Sequence, residues 1–553
     1  MKLTRILISI TCLVAGAPCA AGVDGGGGGH PEAGPILVSA IAATDVDEQV
    51  AQIAALAETG NLRVEAVLTA WKRGEVYLTS ASLGEPAAVY LVAGQQFDVA
   101  TGEPVAPPVD LAASKSVDTS SKVRRAMKGT LDLLALNAAD PRVRAGAALK
   151  LGLLQRPDYL PILEAKLAGE ENARARERFR EAIAISRLAG GDRDEVIESI
   201  GTLAELRSVA AMDNLNRIVS QQSGAPAGGK DVEIGAAAAT ALREIEDYLK
   251  IVDFFGTLFR GLSSGSVLIV AALGLAITFG LMGVINMAHG EMIAIGGYAT
   301  FMVQQAFGKV FGVGGMGADL YFLVAIPISF VVAALMGVLL ERGIIQFLYR
   351  RPLESLLATW GVSLVLQQGF RIVFGAANVQ VGTPDWLQGS YEISDLTLGY
   401  NRLFVIVAVS LIVVGTWLLM TRTPLGLRIR AVMQNRDMAA CMGVRTDRVR
   451  TATFAFGSGL AGLAGAFLSQ IGNIGPNTGQ DYIVDSFMVV VVGGVGNLIG
   501  TVVSALGIGV ADQTLQPFLG PVMGKICVLV GIILFLQWKP GGLFPARTRS
   551  LDG

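Results

Sequence analysis

Histidine, cysteine and charge are what this 553-residue chain has least of. The two histidines and four cysteines are so placed that the polar, exported part can hold no disulfide framework or cysteine metal site. Charged residues make up 16% and aromatics 7%, against 52% hydrophobic residues and 68 glycines, which is too apolar for an ordinary soluble enzyme. A net charge of −2 offers no basic footprint for nucleic acid. Nucleotide motifs also fail on context. "GSGLAG" (457–462) has the dinucleotide glycine spacing but no strand before it, and "GAPAGGKD" (224–231) puts Asp231 where a P-loop needs Ser or Thr. "GPVMGKI" is one residue too short, and no H-E-x-x-H or serine elbow occurs. No catalytic residue, metal site or cofactor is expected in this chain.

What charge there is splits sharply. Residues 1–250 carry 58 charged side chains with a net charge of −6, and residues 251–553 carry 32 with +4. The first part reads as a polar domain and the second as a membrane domain. Lys2, Arg5 and "ILISITCLVAGA", followed by Ala17, Ala20 and Ala21, predict a signal peptide over 1–21. Cys12 and Cys19 leave with it, and Cys441 and Cys527 belong to the membrane part, so the exported part keeps no cysteine.

"VDGGGGGHPEAGP" (23–35) predicts a flexible tether with His30 in solvent, within an N-terminal segment over 22–62. The exported domain is placed at 63–250. Over 63–105, "VEAVLTAW", "GEVYLTS" and "AAVYLVA" alternate, which predicts a small β element. From about 120 the pattern turns helical: "DPRVRAGAALKLGLL", "ENARARERFREAIAISRL", "DRDEVIESIGTLAEL" and "EIGAAAATALREIEDYL" each pair an acidic start with an Ala/Leu/Ile stripe. These units resemble stacked HEAT-like helical pairs. Arg142, Arg144, Arg174 and Arg176 form either a binding face or solvated helix faces with i, i+4 partners.

The membrane domain, 251–553, shows apolar candidate spans at 258–281, 287–306, 320–347, 354–374, 402–420, 452–471, 483–500, 501–517 and 521–538. The seventh and eighth are short enough to be half-helices. Seven arginines over 421–450, with Arg350, Arg351, Lys539, Arg547 and Arg549, mark the cytoplasmic side. The loops at 377–400 and 472–482 have no Lys or Arg and are expected outside, so the first span starts outside, as the signal peptide independently requires. "GVINMAHGEM" (283–292) then falls at the inner junction of the first two spans, with a glycine-flexed turn. On a helix Asn286 and His289 share a face, while Glu291 points about 200° away from His289. Asn286, His289 and Glu291, with Gln470 and Asn473, are candidates for a polar solute path; the competing role for each is a helix cap or a contact between spans.

The arginine-rich loop contains "RDMAACMGV", a short amphipathic helix ending at glycine. It resembles the ATPase-coupling loop of ABC-importer permeases at Asp437, Ala439 and Gly443, with Met438 departing from the usual alanine. The stretch "GLSSGSVLIVAALGLAITFGLMGVINMAHGEMIAIGGY", with "VVVVGGVGNLIGT" and "KPGGLFP", resembles the branched-chain amino-acid and urea permease family over 255–546. The extension with "KRGEVYL", and "FGAANVQVGTPDW", "QNRDMAACMGV" and "DYIVDSFMVVVVGG", resemble the urea-type subunit. The resemblance implies an all-α polytopic membrane protein of about 8–9 spans, preceded by the mostly α, HEAT-like exported domain with its β element. It implies the permease subunit of an importer in the bacterial inner membrane, moving urea or a close short amide. Partners would be a second homologous permease, two cytoplasmic ATPases holding ATP and Mg, and a periplasmic substrate-binding protein. Arg436, Asp437, Ala439, Ala440 and Gly443 would form the coupling element. The alternatives are a branched-chain amino-acid importer and a membrane-anchored interaction protein.

Overall fold

The computed structural model describes residues 33–43, 45–59, 62–80, 86–92, 95–105, 109, 114–222, 231–282, 286–312, 318–348, 351–393 and 395–544. The expected signal peptide, His30 and residues 224–230 lie outside them, as do residues 283–285 of "GVINMAHGEM". The chain divides into two compact units, Met1–Tyr248 and Leu249–Gly553.

In the first unit, helices α1 (Ala33–Ala42), α2 (Val46–Ala55) and α3 (Leu62–Arg73) precede a small antiparallel sheet. Its strands are β1 (Val76–Ser80), β2 (Pro86–Val92), β3 (Gln95–Asp98) and β4 (Lys115–Ser116), in the order β3-β2-β1-β4. Tyr90 pairs with Val76 on one side and with Phe97 on the other, their rings 5.6 Å apart. Two expectations are corrected here. "VEAVLTAW" is helix, not strand: Val64, Val67, Leu68 and Trp71 recur at i, i+3, i+4 and i+7, and all four are buried. The tether expected over 23–35 gives way to helix at Ala33, and Leu37, Ile41, Ile53 and Leu56 join one buried cluster with that helix face and the sheet.

Helices α4 (Ser121–Leu134), α5 (Pro141–Leu153), α6 (Leu160–Gly169), α7 (Ala173–Arg187), α8 (Arg193–Glu205) and α9 (Met212–Gln222) follow. Asp140 opens α5 as its N-cap, and after Leu154 comes Gln155 at φ +51, a 3₁₀ turn at Pro157–Tyr159, then α6. Asp192, Leu206, Arg207 at φ +50, Val209–Ala211 and α9 repeat this order at one constant offset. Buried positions repeat with it: Ala147 and Ser199, Ala148 and Ile200, Leu151 and Leu203, Leu163 and Leu215. This helical stretch is therefore an internal repeat, each copy burying its stripe on a neighbour.

Helix α10 (Asp231–Met282) contains the boundary between the units. The second unit continues with α11 (His289–Phe311), α12 (Tyr321–Gly343), α13 (Pro352–Phe374), a hairpin of β5 (Ser390–Ile393) and β6 (Leu396–Gly399), and α14 (Tyr400–Arg422). Next come α15 (Pro424–Gln434), α16 (Arg436–Cys441), α17 (Thr446–Ile471), α18 (Thr478–Gly493) and α19 (Leu498–Trp538). Among the described residues, six helices are long and apolar enough to cross a membrane: those within 232–280, 321–347, 353–374, 400–422, 446–471 and 498–538. The last is two limbs meeting at Gly520, whose φ of 78° and ψ of 165° break the helix between Pro517 and Pro521.

Helix α17 is the hub. Gly457 packs on Gly274 and Thr278 of α10, Gly462 on Ser329 and Ala333 of α12, and Gly465 on Ile293 and Gly297 of α11. "GSGLAG" thus serves close helix approach, where bare Cα atoms let backbones touch. The outer helices instead expose leucine and valine, such as Leu335 and Leu339 on α12 and Leu411 and Val414 on α14. Such apolar faces suit hydrocarbon as solvent.

The expected span at 287–306 is corrected, and 483–500, read as short enough to be a half-helix, falls on a 16-residue helix. Glu291, in the first turn of α11, bonds to Ser363 and Gln367 halfway along α13, so α11 starts at half depth. Helix α18 is 16 residues long and starts at the same level, with Gly479 against the Glu291 carboxylate. "GVINMAHGEM" therefore ends at half depth and not at the inner junction.

Candidate functional site

The two half-depth helices begin back to back. A Cβ on Gly290 would come within 2.9 Å of the Gly479 carbonyl carbon and of Ile483 Cβ, so only glycine permits this contact. From there α11 runs toward the loop at 377–400, where Gln304 meets Gly382. Helix α18 runs the other way, to a turn where Gly496 lies beside Gly280 and Met433 of the arginine-rich segment. Two helix N-termini, each with partial positive charge, thus converge in the middle of the unit.

The polar residues of "GVINMAHGEM" gather there. Asn286 is buried, and its Oδ1 accepts from the Ala288 N–H at 3.0 Å. His289 is fully buried, and its Nε2 donates to the Ala271 carbonyl of α10 at 3.1 Å. Glu291 is fully buried on the opposite side: Oε1 accepts from Ser363 Oγ at 2.9 Å and from Gln367 Nε2 at 3.0 Å. The Met287 N–H donates to Thr359 Oγ1, tying the approach to the same face of α13. Asn286 Nδ2, His289 Nδ1 and Glu291 Oε2 have no hydrogen-bond partner among the described residues. His289 and Glu291 face different helices, which leaves no paired acid and base.

Gln470 and Asn473 lie elsewhere. Gln470 is buried at the far end of α17, where its Nε2 donates to the Tyr321 hydroxyl at 3.2 Å and its carbonyl accepts from Asn401 Nδ2 at 2.9 Å. The Tyr321 hydroxyl donates in turn to the Gly382 carbonyl. Asn473 is exposed and touches neither group. The five path candidates therefore fall in three places. Tyr298, Ser363 and Gly479 were missed as neighbours of Glu291. The available signals were Tyr298 seven residues past Glu291 on one helix face, and Ser363–Gln367 as an i, i+4 polar pair in an apolar helix.

The arginine-rich segment forms α15 and α16. Asn435 caps α16 by accepting from the Met438 N–H at 2.9 Å. Gly443, at φ +83, closes it: its N–H donates to Ala440 O and the Val444 N–H to Ala439 O, each at 3.0 Å. This is the paired-bond C-terminal motif that glycine adopts without strain. Ala439 is buried, while Arg436, Asp437, Met438, Ala440 and Met442 are exposed. A short capped helix thus presents two methionines and two charges outward.

In the first unit, two of the four arginines offered as a binding face are used internally. Arg144 makes a two-pronged contact with the Glu170 carboxylate at 2.7 and 2.8 Å and also donates to the Ala138 and Ala139 carbonyls. Arg176 donates to the Glu170 carbonyl. The Arg144 hydrogen bonds hold the Glu170 carboxyl down to about 2, against the opposing effect of burial. Arg142 and Arg174 remain exposed.

Residues 257–536 match the family model described as branched-chain amino acid transport system, permease component. The high-affinity branched-chain amino acid transport system permease protein LivH of Salmonella typhimurium is 27% identical, over 52% of this chain and 95% of its own length. BraD of Pseudomonas aeruginosa, with the same description, is 26% identical over 53% and 96%. The probable branched-chain amino acid transport permease protein LivH of Methanocaldococcus jannaschii is 25% identical over 50% and 88%. No solved structure matches. With its membrane unit matched almost from end to end, the chain belongs to the permease-component family of branched-chain amino acid transport systems.

Proposed function

We propose that the chain is the membrane-embedded translocation subunit of an ATP-driven importer, and that its solute is a branched-chain amino acid. The observation that carries this reading is the exposed, glycine-closed helix Arg436–Cys441, set within a membrane unit of permease type. In this reading Met438 and Met442 enter a groove on a cytoplasmic ATPase, and Ala439 anchors the helix to α17. Two such ATPases hold ATP and Mg and perform the hydrolysis; this chain performs none. A second homologous permease completes the membrane part, and a periplasmic binding protein delivers the solute. The setting is the bacterial inner membrane, with the first unit exported after removal of residues 1–21 and built in part as HEAT-like repeats.

The relatives' names favour amino acids over urea, which the sequence resemblance placed first. Urea stays as the second reading because "KRGEVYL", "FGAANVQVGTPDW" and "DYIVDSFMVVVVGG" resemble the urea-type subunit. Uptake of labelled leucine and labelled urea by cells lacking the gene separates them. Loss of leucine uptake with urea uptake intact is the expected result. Loss of urea uptake alone reverses the substrate, and loss of neither overturns the importer reading.

A further inference from the structure

We propose that Glu291 and Tyr298 form an occluded half-depth site for an N–H donor group of the transported solute, an ammonium or an amide. This rests on the importer reading above. The two oxygens of Glu291 are served unequally. Ser363 and Gln367 both donate to Oε1, which fixes the carboxylate plane, and Oε2 has no partner among the described residues. A carboxylate oxygen left bare in a fully buried position is costly, and such groups are kept where something binds them.

Tyr298 supplies the second observation. It follows Glu291 by seven residues on the same face of α11, and helical aromatic side chains lean back toward the N-terminus. It is 2% exposed, and its ring is clamped by Phe374, stacked at 4.2 Å, and by Phe370 at 5.0 Å. Its hydroxyl also has no partner. One helix face therefore carries a fixed bare acceptor and a clamped bare hydroxyl. Opposite the carboxylate is Gly479, where a Cβ would come within 2.7 Å of Oε2.

The chemistry of the occupant follows. An N–H donor satisfies Glu291 Oε2, and its acceptor end is favoured by the positive dipole end of the helix that carries Glu291, as where broken membrane helices hold small solutes. A zwitterionic amino acid and urea both carry a donor and an acceptor end at this scale. Both side chains are buried, as a step between an importer's outward and inward openings requires.

The test uses the purified full chain in detergent with three labelled probes: leucine, urea and methylammonium. Binding of at least one probe to the native chain is expected. E291Q keeps the volume, loses the charge and should weaken that binding at least tenfold; Y298F should weaken it about threefold. Melting temperatures of both unliganded variants should stay near the native value, which separates a lost ligand from a lost fold. Leucine against urea identifies the source of the N–H group, and methylammonium tests the ammonium alone. No binding of any probe to the native chain, or unchanged binding to E291Q, overturns the site. Glu291-dependent binding in a complex that shows no ATP-driven uptake sinks the importer reading and leaves the site standing.

Discussion

Arg144 and Glu170 show how much one pair can hold. Glu170 titrates near 2 when folded, well below its ordinary value near 4.5, so the pair stabilises the fold fully above about pH 5 and loses that contribution as pH falls toward 2. Hydrogen exchange of peptides from 141–187 in the full chain should therefore accelerate as pH drops from 5 to 2, beyond the intrinsic pH dependence. E170Q should remove that extra acceleration. R144A leaves a buried carboxylate unpaired and should cost about 3 kcal/mol. The same scale shows what residue type reveals. Asn286, His289 and Glu291 stand out in sequence because polar residues are rare in their surroundings, and Gly443 because a short helix needs an end. Their partners do not stand out: Ser363 and Gln367 reach Glu291 across more than seventy residues of chain, and no local pattern encodes such a distance. Arg144 and Arg174 look alike in sequence, yet only Arg144 is used internally, through a carboxylate on a different helix turn.

At the scale of elements, hydropathy found most membrane helices and misjudged how deep one of them, α11, starts. Composition records what a segment touches and not the level at which it begins, so 287–306 reads like a full span although α11 opens halfway along α13. Alternation misled at "VEAVLTAW" for a related reason: a short apolar run fits both periods, and the buried set at i, i+3, i+4 and i+7 decides it. Two element-scale outcomes are expected. G462V forces a branched side chain into the Ser329 backbone of α12, and overpacking of this kind should cost about 1–3 kcal/mol, read as a lowered melting temperature of the purified chain. G443P removes the N–H that bonds Ala440 and cannot adopt φ +83. It should abolish solute-stimulated ATP hydrolysis in the assembled complex while the melting temperature of the chain stays within a few degrees; unaltered stimulation would remove α16 from the coupling role.

For the whole molecule, sidedness is the property most open to direct measurement. Cys441 lies exposed on α16, and Asn473 is exposed after the far end of α17. In intact cells a membrane-impermeant maleimide should label N473C in a C527S background and spare Cys441, which should react only once the inner side is opened; the reverse pattern would invert the topology. The repeat at Asp140 and Asp192 was visible in sequence only as similar helical units, because the shared features are cap, left-handed residue and turn rather than matching side chains. The opposed helices α11 and α18 carry a consequence for permeation. Each points the positive end of its dipole into the middle of the unit. On the importer reading, a polar solute crossing at that level meets two positive helix ends with apolar material on either side. The energy barrier is divided into two thinner ones, and each can be lowered in turn while the other keeps the membrane sealed.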